Sequence, residues 1–303
     1  MRRSLAIAII TAVAVAPIIA LYPPPAAINP ADQIAQHVST IKWDPGERWF
    51  GGFSGFELTP DGQRFYAVSD RGYLVHGTVT RAGQNITGLE ITSAGPLIDS
   101  DGEILRDLRT DAEGLALDAA GRLYVSFEHA QRILRYDTLD SRASWPSYAP
   151  AWRALRANGG LEMVAVSPAG ALFTIPEGVS RGAYEALVYR RMPGKDWEQP
   201  FTLPLTEEFS VVGGDFAQDG RLYILERKFT PYGFQNQIRR MNVTPTGVAD
   251  IEIILQTPVR RHGNLEGLAA WTDTSGATRL TMVSDNNYLT FIDTQITEYS
   301  FTD

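Results

Sequence analysis

Cysteine is absent from all 303 residues. That excludes disulfides, thiolate nucleophiles, zinc fingers and iron–sulfur clusters. Histidine is scarce, with only His37, His76, His129 and His262, and none falls in an H-E-x-x-H or other paired spacing. A histidine-rich metal centre is therefore not expected. Basic residues are outnumbered, 27 Lys+Arg against 35 Asp+Glu, for a formal charge of −8. Nucleic-acid binding is not expected from that balance, whereas a cation or a basic partner suits it. Long amphipathic helices are also missing, and only 151–157 has a helical look. With 44% apolar residues the chain has enough material for a core. The chemistry left to it is that of carboxylates, guanidinium groups and the backbone.

The N-terminus has the layout of a targeting segment. A short basic start, Met1-Arg2-Arg3-Ser4, precedes an uncharged run from Leu5 to Leu21 that Pro17 interrupts. At 1.5 Å per residue this run falls short of the ~30 Å hydrocarbon core. A secretory signal fits it better than a membrane span. The small-x-small pattern Ala14-Val15-Ala16 is followed directly by Pro17, a poor cleavage site, so uncleaved anchoring to the inner membrane stays open. Pro23-Pro24-Pro25 reads as a stiff spacer. The expected division is 1–27 as signal or anchor and 28–303 as the folded domain, placed in the periplasm or secreted.

The body repeats. Five stretches, 51–72, 111–129, 159–178, 210–228 and 263–286, each hold an apolar run, a glycine turn, a β-rich run and a carboxylate. Their turn glycines, Gly62, Gly121, Gly170, Gly220 and Gly276, recur about every 50 residues, the spacing of four-stranded propeller blades. Each unit begins with two alternating strands joined by a glycine turn, a hairpin signal. Third strands are expected at 73–80, 133–137, 184–190, 237–243 and 288–293. The segment 34–43 reads as a lone strand that closes the ring within the last blade. The chain is thus expected to be all-β, a single β-propeller of five recognisable four-stranded blades. The long loops at 96–110 and 139–158 leave a degenerate sixth open.

The carboxylates repeat with the blades. Eight residues before the turn glycine stand Ser54, Glu113, Glu162 and Val212, and Glu266 joins them after a two-residue insertion. The second strands end at Asp70, Glu128, Glu177, Glu226 and Asp285. In an antiparallel hairpin these two places share one end, so eight carboxylates should gather on one face. Crowded carboxylates repel and need cations, and oxygen ligands without cysteine suit Ca²⁺ rather than Zn²⁺. Arg71, His129, Arg181, Arg227 and Lys228 stand beside the second set. Two other motifs read as structural. Asp99-Ser100-Asp101-Gly102-Glu103 is a fragment of a calcium loop better explained as a turn. Ser54 lies in Gly-Phe-Ser-Gly-Phe, where a nucleophile elbow needs glycine at Phe56, and it reads as a turn residue.

Taken in order, GGFSGFELTPDGQRFYAVSDRG, DAEGLAL, NGGLEMVAVSP, GRLYILERKF and NLEGLAAWTD…LTMVSDNN resemble the phytase-like family, whose members are described by an esterase-like activity of phytase. The resemblance implies a secreted or envelope propeller that hydrolyses a phosphoester or other ester with Ca²⁺. Glu113, Glu162 and Glu266 match the family's first-strand motifs. Asp70-Arg71, Glu226-Arg227 and Asp285 match its second-strand ends. In the fourth unit Val212-Gly213 replaces the usual acid, with Asp215 shifted. On this reading Glu113, Glu162, Glu266, Asp70, Glu226 and Asp285 are candidate metal ligands. Arg71 and Arg227 stabilise developing charge, and Glu128 or Glu177 acts as base. The expected partner is a small ester or phosphoester. Two alternatives stay open: a non-catalytic envelope propeller whose carboxylates are blade-to-blade struts, and a calcium-dependent lactonase-like hydrolase.

Overall fold

The computed structural model describes residues 33–155, 159–177, 184–206 and 208–303. The leader and Arg181 lie outside the described residues. After a first strand β1 (Gln36–Lys42), the chain forms one blade from β2 (Phe53–Leu58), β3 (Arg64–Ser69), β4 (Tyr73–Ala82) and β5 (Asn85–Pro96). The second holds β6 (Ala112–Leu117), β7 (Leu123–Phe127), β8 (Arg132–Tyr136) and β9 (Trp145–Ser147), and the third β10 (Leu161–Val166), β11 (Leu172–Pro176), β12 (Glu185–Arg191) and β13 (Trp197–Pro204). The fourth holds β14 (Ser210–Phe216), β15 (Leu222–Thr230), β16 (Gly233–Thr244) and β17 (Gly247–Gln256). In the fifth, β18 (Asn264–Thr272), β19 (Thr278–Asp285) and β20 (Gln295–Phe301) are joined by β1 in the order β1-β20-β19-β18. All five sheets are antiparallel meanders.

The early strand closes the ring as expected, running antiparallel to β20 from Gln36 opposite Ser300 to Lys42 opposite Gln295. This removes a free edge from the last sheet. No sixth blade forms among the described residues. The loop 97–111 carries one isolated bridge, Ile98 to Ile104, and a short 3₁₀ turn, Asp107–Arg109. The loop after β9 carries another, Pro150–Ala154, where the sequence looked helical. One strand boundary differs from expectation. The third strand of the last blade starts at Gln295, not at 288, because Asn287 and Tyr288 both sit at positive φ (51° and 52°). That left-handed backbone ends any strand.

The inner strands β2, β6, β10, β14 and β18 pack in a ring, with β18 returning to β2. Apolar clusters fill the wedges between blades, for example Val68 and Leu74 against Leu115, Val125 and Tyr136. Glycine makes the tight closure feasible near the axis. A Cβ on Gly267 would lie 2.6 Å from the Phe56 nitrogen, and one on Gly114 would lie 2.5 Å from the Val164 nitrogen. The remaining axial space is only about 10 Å³, roughly one water. The propeller is therefore plugged, and any ligand approaches from an end.

A carboxylate ring at the channel mouth

A register shift occurs at the same place in every inner hairpin. It falls between Phe53 and Gly55, Ala112 and Leu115, Leu161 and Met163, Val211 and Gly213, and Leu265 and Gly267. The residues in these bulges include Ser54, Glu113, Glu162, Val212 and Glu266, the five aligned from the sequence. A bulge leaves its extra residue out of the ladder and re-aims its side chain. Every blade thus turns one residue out of its ladder where the inner strand begins.

The second set follows from the partner strand. Asp70, Glu128 and Glu177 come directly after β3, β7 and β11. Their N–H groups donate to the carbonyls of Gly52 (2.9 Å), Asp111 (2.9 Å) and Gly160 (3.0 Å). Asp285 ends β19 opposite Asn264.

These elements bring together Asp70, Asp111, Glu113, Glu128, Glu162, Glu177, Glu266 and Asp285, each within electrostatic reach of others in the group. Burial, then Glu162 and Glu266, pushes the Glu113 carboxyl well above its usual range. Burial, then Glu177 and Glu266, does the same to Glu162. Asp70 is pushed up to about 8 by burial and then by Asp285. Asp285 rises to about 7 through burial and then Glu266. Asp111 and Glu177 are raised as well, chiefly by burial. The Oδ1 of Asp70 is buried with no hydrogen-bond partner.

Among the described residues one half-buried cation, Arg227, faces this charge. Arg227 donates to Glu266 and to the Asn264 side-chain oxygen, and lies 3.7 Å from Glu177. Glu266 also accepts from Asn264 Nδ2 (2.8 Å) and from Ser54 Oγ (3.0 Å). Ser54 is therefore a buried strand residue bonded to the ring, not the turn residue its flanking glycine suggests. Arg71 is exposed at the rim, its guanidinium 3.4 Å above the centre of the Tyr288 ring.

Glu226 stands apart from the group. Consecutive strand residues face opposite sides, so Glu226 and Arg227 part company within β15. Glu226 is fully buried, and both its oxygens accept from Arg239, with Gln237 Nε2 donating at 2.8 Å. In its place the structure supplies Asp111, and with it His129. The donor atoms of Asp111, Glu128 and His129 lie within 4.8 Å of one another, a triad able to hold a metal ion. His129 Nδ1 is 2.7 Å from Asp111 and 3.4 Å from Glu128. Its backbone has φ 53°, a left-handed conformation at the start of the β7–β8 loop. Glu128 is fixed from the next blade by the N–H groups of Gly159 and Gly160.

Asp111 escaped sequence reasoning because Gly52, Gly160, Ser210 and Asn264 occupy the equivalent places, so no repeat marks it. His129 was visible, but only as a basic neighbour. The acid missing from the fourth bulge reappears three residues deeper as Asp215, which accepts from the Ala270 N–H at 2.8 Å. It acts electrostatically on Glu57, the same position in the first blade. The remaining calcium-loop look-alike is a turn. Asp99 accepts from the N–H groups of Asp101 and Glu103 and pairs with Arg109 at 3.1 Å.

A family model described as phytase-like, esterase-like activity of phytase, matches residues 48–288. No curated protein matches the sequence. Similar solved structures include a protein of unknown function from Dyadobacter fermentans DSM 18053, 12% identical, with TM-score 0.50, over 89% of this chain and 100% of that one. The PQQ-bound aldose sugar dehydrogenase from Streptomyces coelicolor is 13% identical, with TM-score 0.49, over 92% and 100%. Virginiamycin B lyase from Staphylococcus aureus is 12% identical, with TM-score 0.46, over 87% and 99%. At such identities the likeness is one of fold.

Proposed function

The chain belongs to the phytase-like family, and from that premise we propose that it is an ester hydrolase, acting on a phosphoester with Ca²⁺. The observation that supports this most is the ring itself, eight carboxylates against one largely enclosed arginine among the described residues. The donor set fits a hard cation, being almost all oxygen. The partnerless Asp70 Oδ1 is one more free donor atom. Asp111, Glu128 and His129 would hold the ion, with Glu113, Glu162, Glu266, Asp70 and Asp285 neutralising or sharing it. When bound, such an ion supplies positive charge that polarises an ester oxygen and acidifies water.

The protein's own groups do the rest. Arg227 and Arg71 bind the anionic oxygens of the substrate. Glu177 is only a third exposed, and burial raises its carboxyl. In this reading it is the group that takes or holds the proton. An extracytoplasmic location, suggested by the leader, belongs to the same proposal.

The strut alternative meets a specific difficulty. Two buried carboxylates outside the ring are paired with arginine, whereas Asp215 is held across blades by the Ala270 N–H alone. Glu226 has Arg239, and Glu298 has Arg81 and Arg279. The ring acids share Arg227 among them. The test is turnover of p-nitrophenyl phosphate, phytate, p-nitrophenyl acetate and a lactone by metal-stripped protein, with and without Ca²⁺. Calcium-dependent hydrolysis of the phosphoesters supports the proposal. Turnover of none of them overturns it, and lactone turnover alone transfers it to the lactonase class.

A further inference from the structure

The exposed apolar residues are unevenly placed. Among the described residues, the six most exposed large hydrophobic side chains are Tyr184, Phe291, Phe229, Leu108, Tyr148 and Ile104, from 84% down to 46%. Five lie in connections from a second to a third strand or from an outer strand to the next inner strand, and Phe229 lies in β15 where it runs on toward the turn to β16. In an up-and-down blade those connections sit at the end where the inner strands begin, which is the carboxylate end. Met192, in the turn after β12 at the opposite end, is 39% exposed. Leu187, Ile251 and Ile253, on β12 and β17, are exposed to a similar degree as Met192. Such scattered residues need no explanation, but a concentration of the most exposed ones at one end marks a binding surface.

Two of these groups flank the site directly. In the fourth blade β15 and β16 run on past Glu226 and raise a hairpin that turns at 231–232. On it Phe229 packs against Phe234 with ring centres 5.2 Å apart, and Arg227 lies 5.7 Å from the Phe234 ring. The apolar wall thus begins where the half-buried cation ends. In the fifth blade the loop after β19 presents Tyr288, Leu289 and Phe291. Asn286 holds it in place, its Oδ1 accepting from Gly52 N (3.1 Å) and Tyr288 N (3.0 Å). Arg71 rests on Tyr288 and has no carboxylate within ion-pair distance among the described residues. Each wall therefore couples a guanidinium group to apolar surface, on adjacent blades, above the same acids.

We infer that the substrate is an amphiphilic anion, an ester or phosphoester head carrying an alkyl, acyl or aromatic body. This rests on the hydrolase reading and narrows its substrate class. The head meets Arg71, Arg227 and the carboxylate-held cation. The body lies against Phe229 and Phe234 on one side and Leu289 and Phe291 on the other. Charge complementarity selects the anionic end, and the continuity of each wall with an arginine fixes the order of head and body. A bare polyphosphorylated polyol has nothing to place against these walls.

The experiment is calorimetric titration of the calcium-loaded protein with ethyl phosphate and with octyl phosphate below its micellar range. Octyl phosphate should bind tenfold or more tighter, roughly the effect of two buried methylenes. The double variant Phe229→Ser/Phe291→Ser should bring the ratio close to one, while Met192→Ser retains it. Equal affinities in the parent, or a ratio that survives the double variant, overturn the inference and leave the hydrolase reading standing. Binding of neither ligand overturns both. A parent dimer in sedimentation that the double variant dissociates assigns the walls to a second copy and overturns the inference.

Discussion

Two glutamate-to-glutamine changes separate a strut from a site. Glu226 and Glu162 are both buried acids near the mouth, on neighbouring blades. Glu226→Gln breaks a bidentate pair and leaves Arg239, 4% exposed, without its carboxylate. Breaking a buried pair from one side costs about 3–5 kcal/mol. For a protein of this size that lowers Tm by about 6–20 °C, whether or not calcium is present. Glu162→Gln acts in the opposite sense. Burial disfavours the charge of its carboxyl, and Glu177, Glu266 and Glu128 oppose it more than Arg227 offsets, so the group is raised overall. Neutralising it relieves repulsion, so the metal-free variant should melt at or above the parent. What it should lose is stabilisation by calcium. At a hundredfold excess over Kd a bound ligand contributes about 2.7 kcal/mol, or about 5–10 °C in Tm. Calorimetry of the parent and both variants, in chelator and in Ca²⁺, gives the six melting temperatures that decide this. If Glu162→Gln lowers the melting temperature in chelator as Glu226→Gln does, the ring acids are struts and the reasoning fails.

Three further outcomes are expected. His262 is buried and bonded through Nε2 to the Tyr299 hydroxyl at 2.7 Å, and burial pushes its pKa down to about 4. Its folded-state pKa lies below its unfolded value near 6.5, so its neutral form stabilises the fold above pH 6.5. That contribution is lost as pH falls from 6.5 toward 4, and urea midpoints should drop there more steeply than in His262→Gln. Gly267→Ala forces a Cβ to 2.6 Å from the Phe56 nitrogen and should cost about 1–3 kcal/mol in denaturant titrations. Gly95→Ala, with nothing within 4 Å, should change little. Tyr288→Ala removes the surface under Arg71 and should raise KM for an anionic ester more than it lowers kcat, with Tyr288→Phe restoring the parent value.

The five blades, the hairpins and the closing strand were legible because each rests on a local, repeated signal, whereas the long loops at 96–110 and 139–158 left a sixth blade open. A glycine at positive φ between two alternating runs can be read without any partner. The equivalence of Ser54, Glu113, Glu162, Val212 and Glu266 was legible too, from spacing alone. That these residues coincide with bulges was not, since a bulge is a property of a pair of strands. The fate of Glu226 was hidden for a similar reason. Its partner Arg239 sits on the third strand, where spacing from the turn glycine carries no information about side-chain pairing. The late start of the last blade's third strand turned on Asn287 and Tyr288, of which only Asn287 is a residue type that visits the left-handed region readily.

The departures from the repeat organise the site more than the repeat does. A perfect ring would place five like charges around a plugged axis. Instead Ser54 contributes a hydroxyl to Glu266 and Val212 contributes nothing polar. The fourth blade presents Arg227 toward the ring acids while Glu226 faces Arg239. One guanidinium thus partly balances a surplus of carboxylates and leaves net negative charge for a cation. This assigns opposite signs to two bindings. Arg227→Gln removes a half-buried positive charge beside Glu266, Glu162 and Glu177. Calcium affinity should rise by about tenfold or more, because one charge several ångströms from a divalent ion in an effective dielectric near 20 is worth several kcal/mol before salt screening. Affinity for ethyl phosphate on the calcium-loaded protein should fall. Titration calorimetry of both ligands decides the matter. If the two affinities fall together, Arg227 holds the geometry of the ring, and its charge is not what sets the balance between cation and substrate.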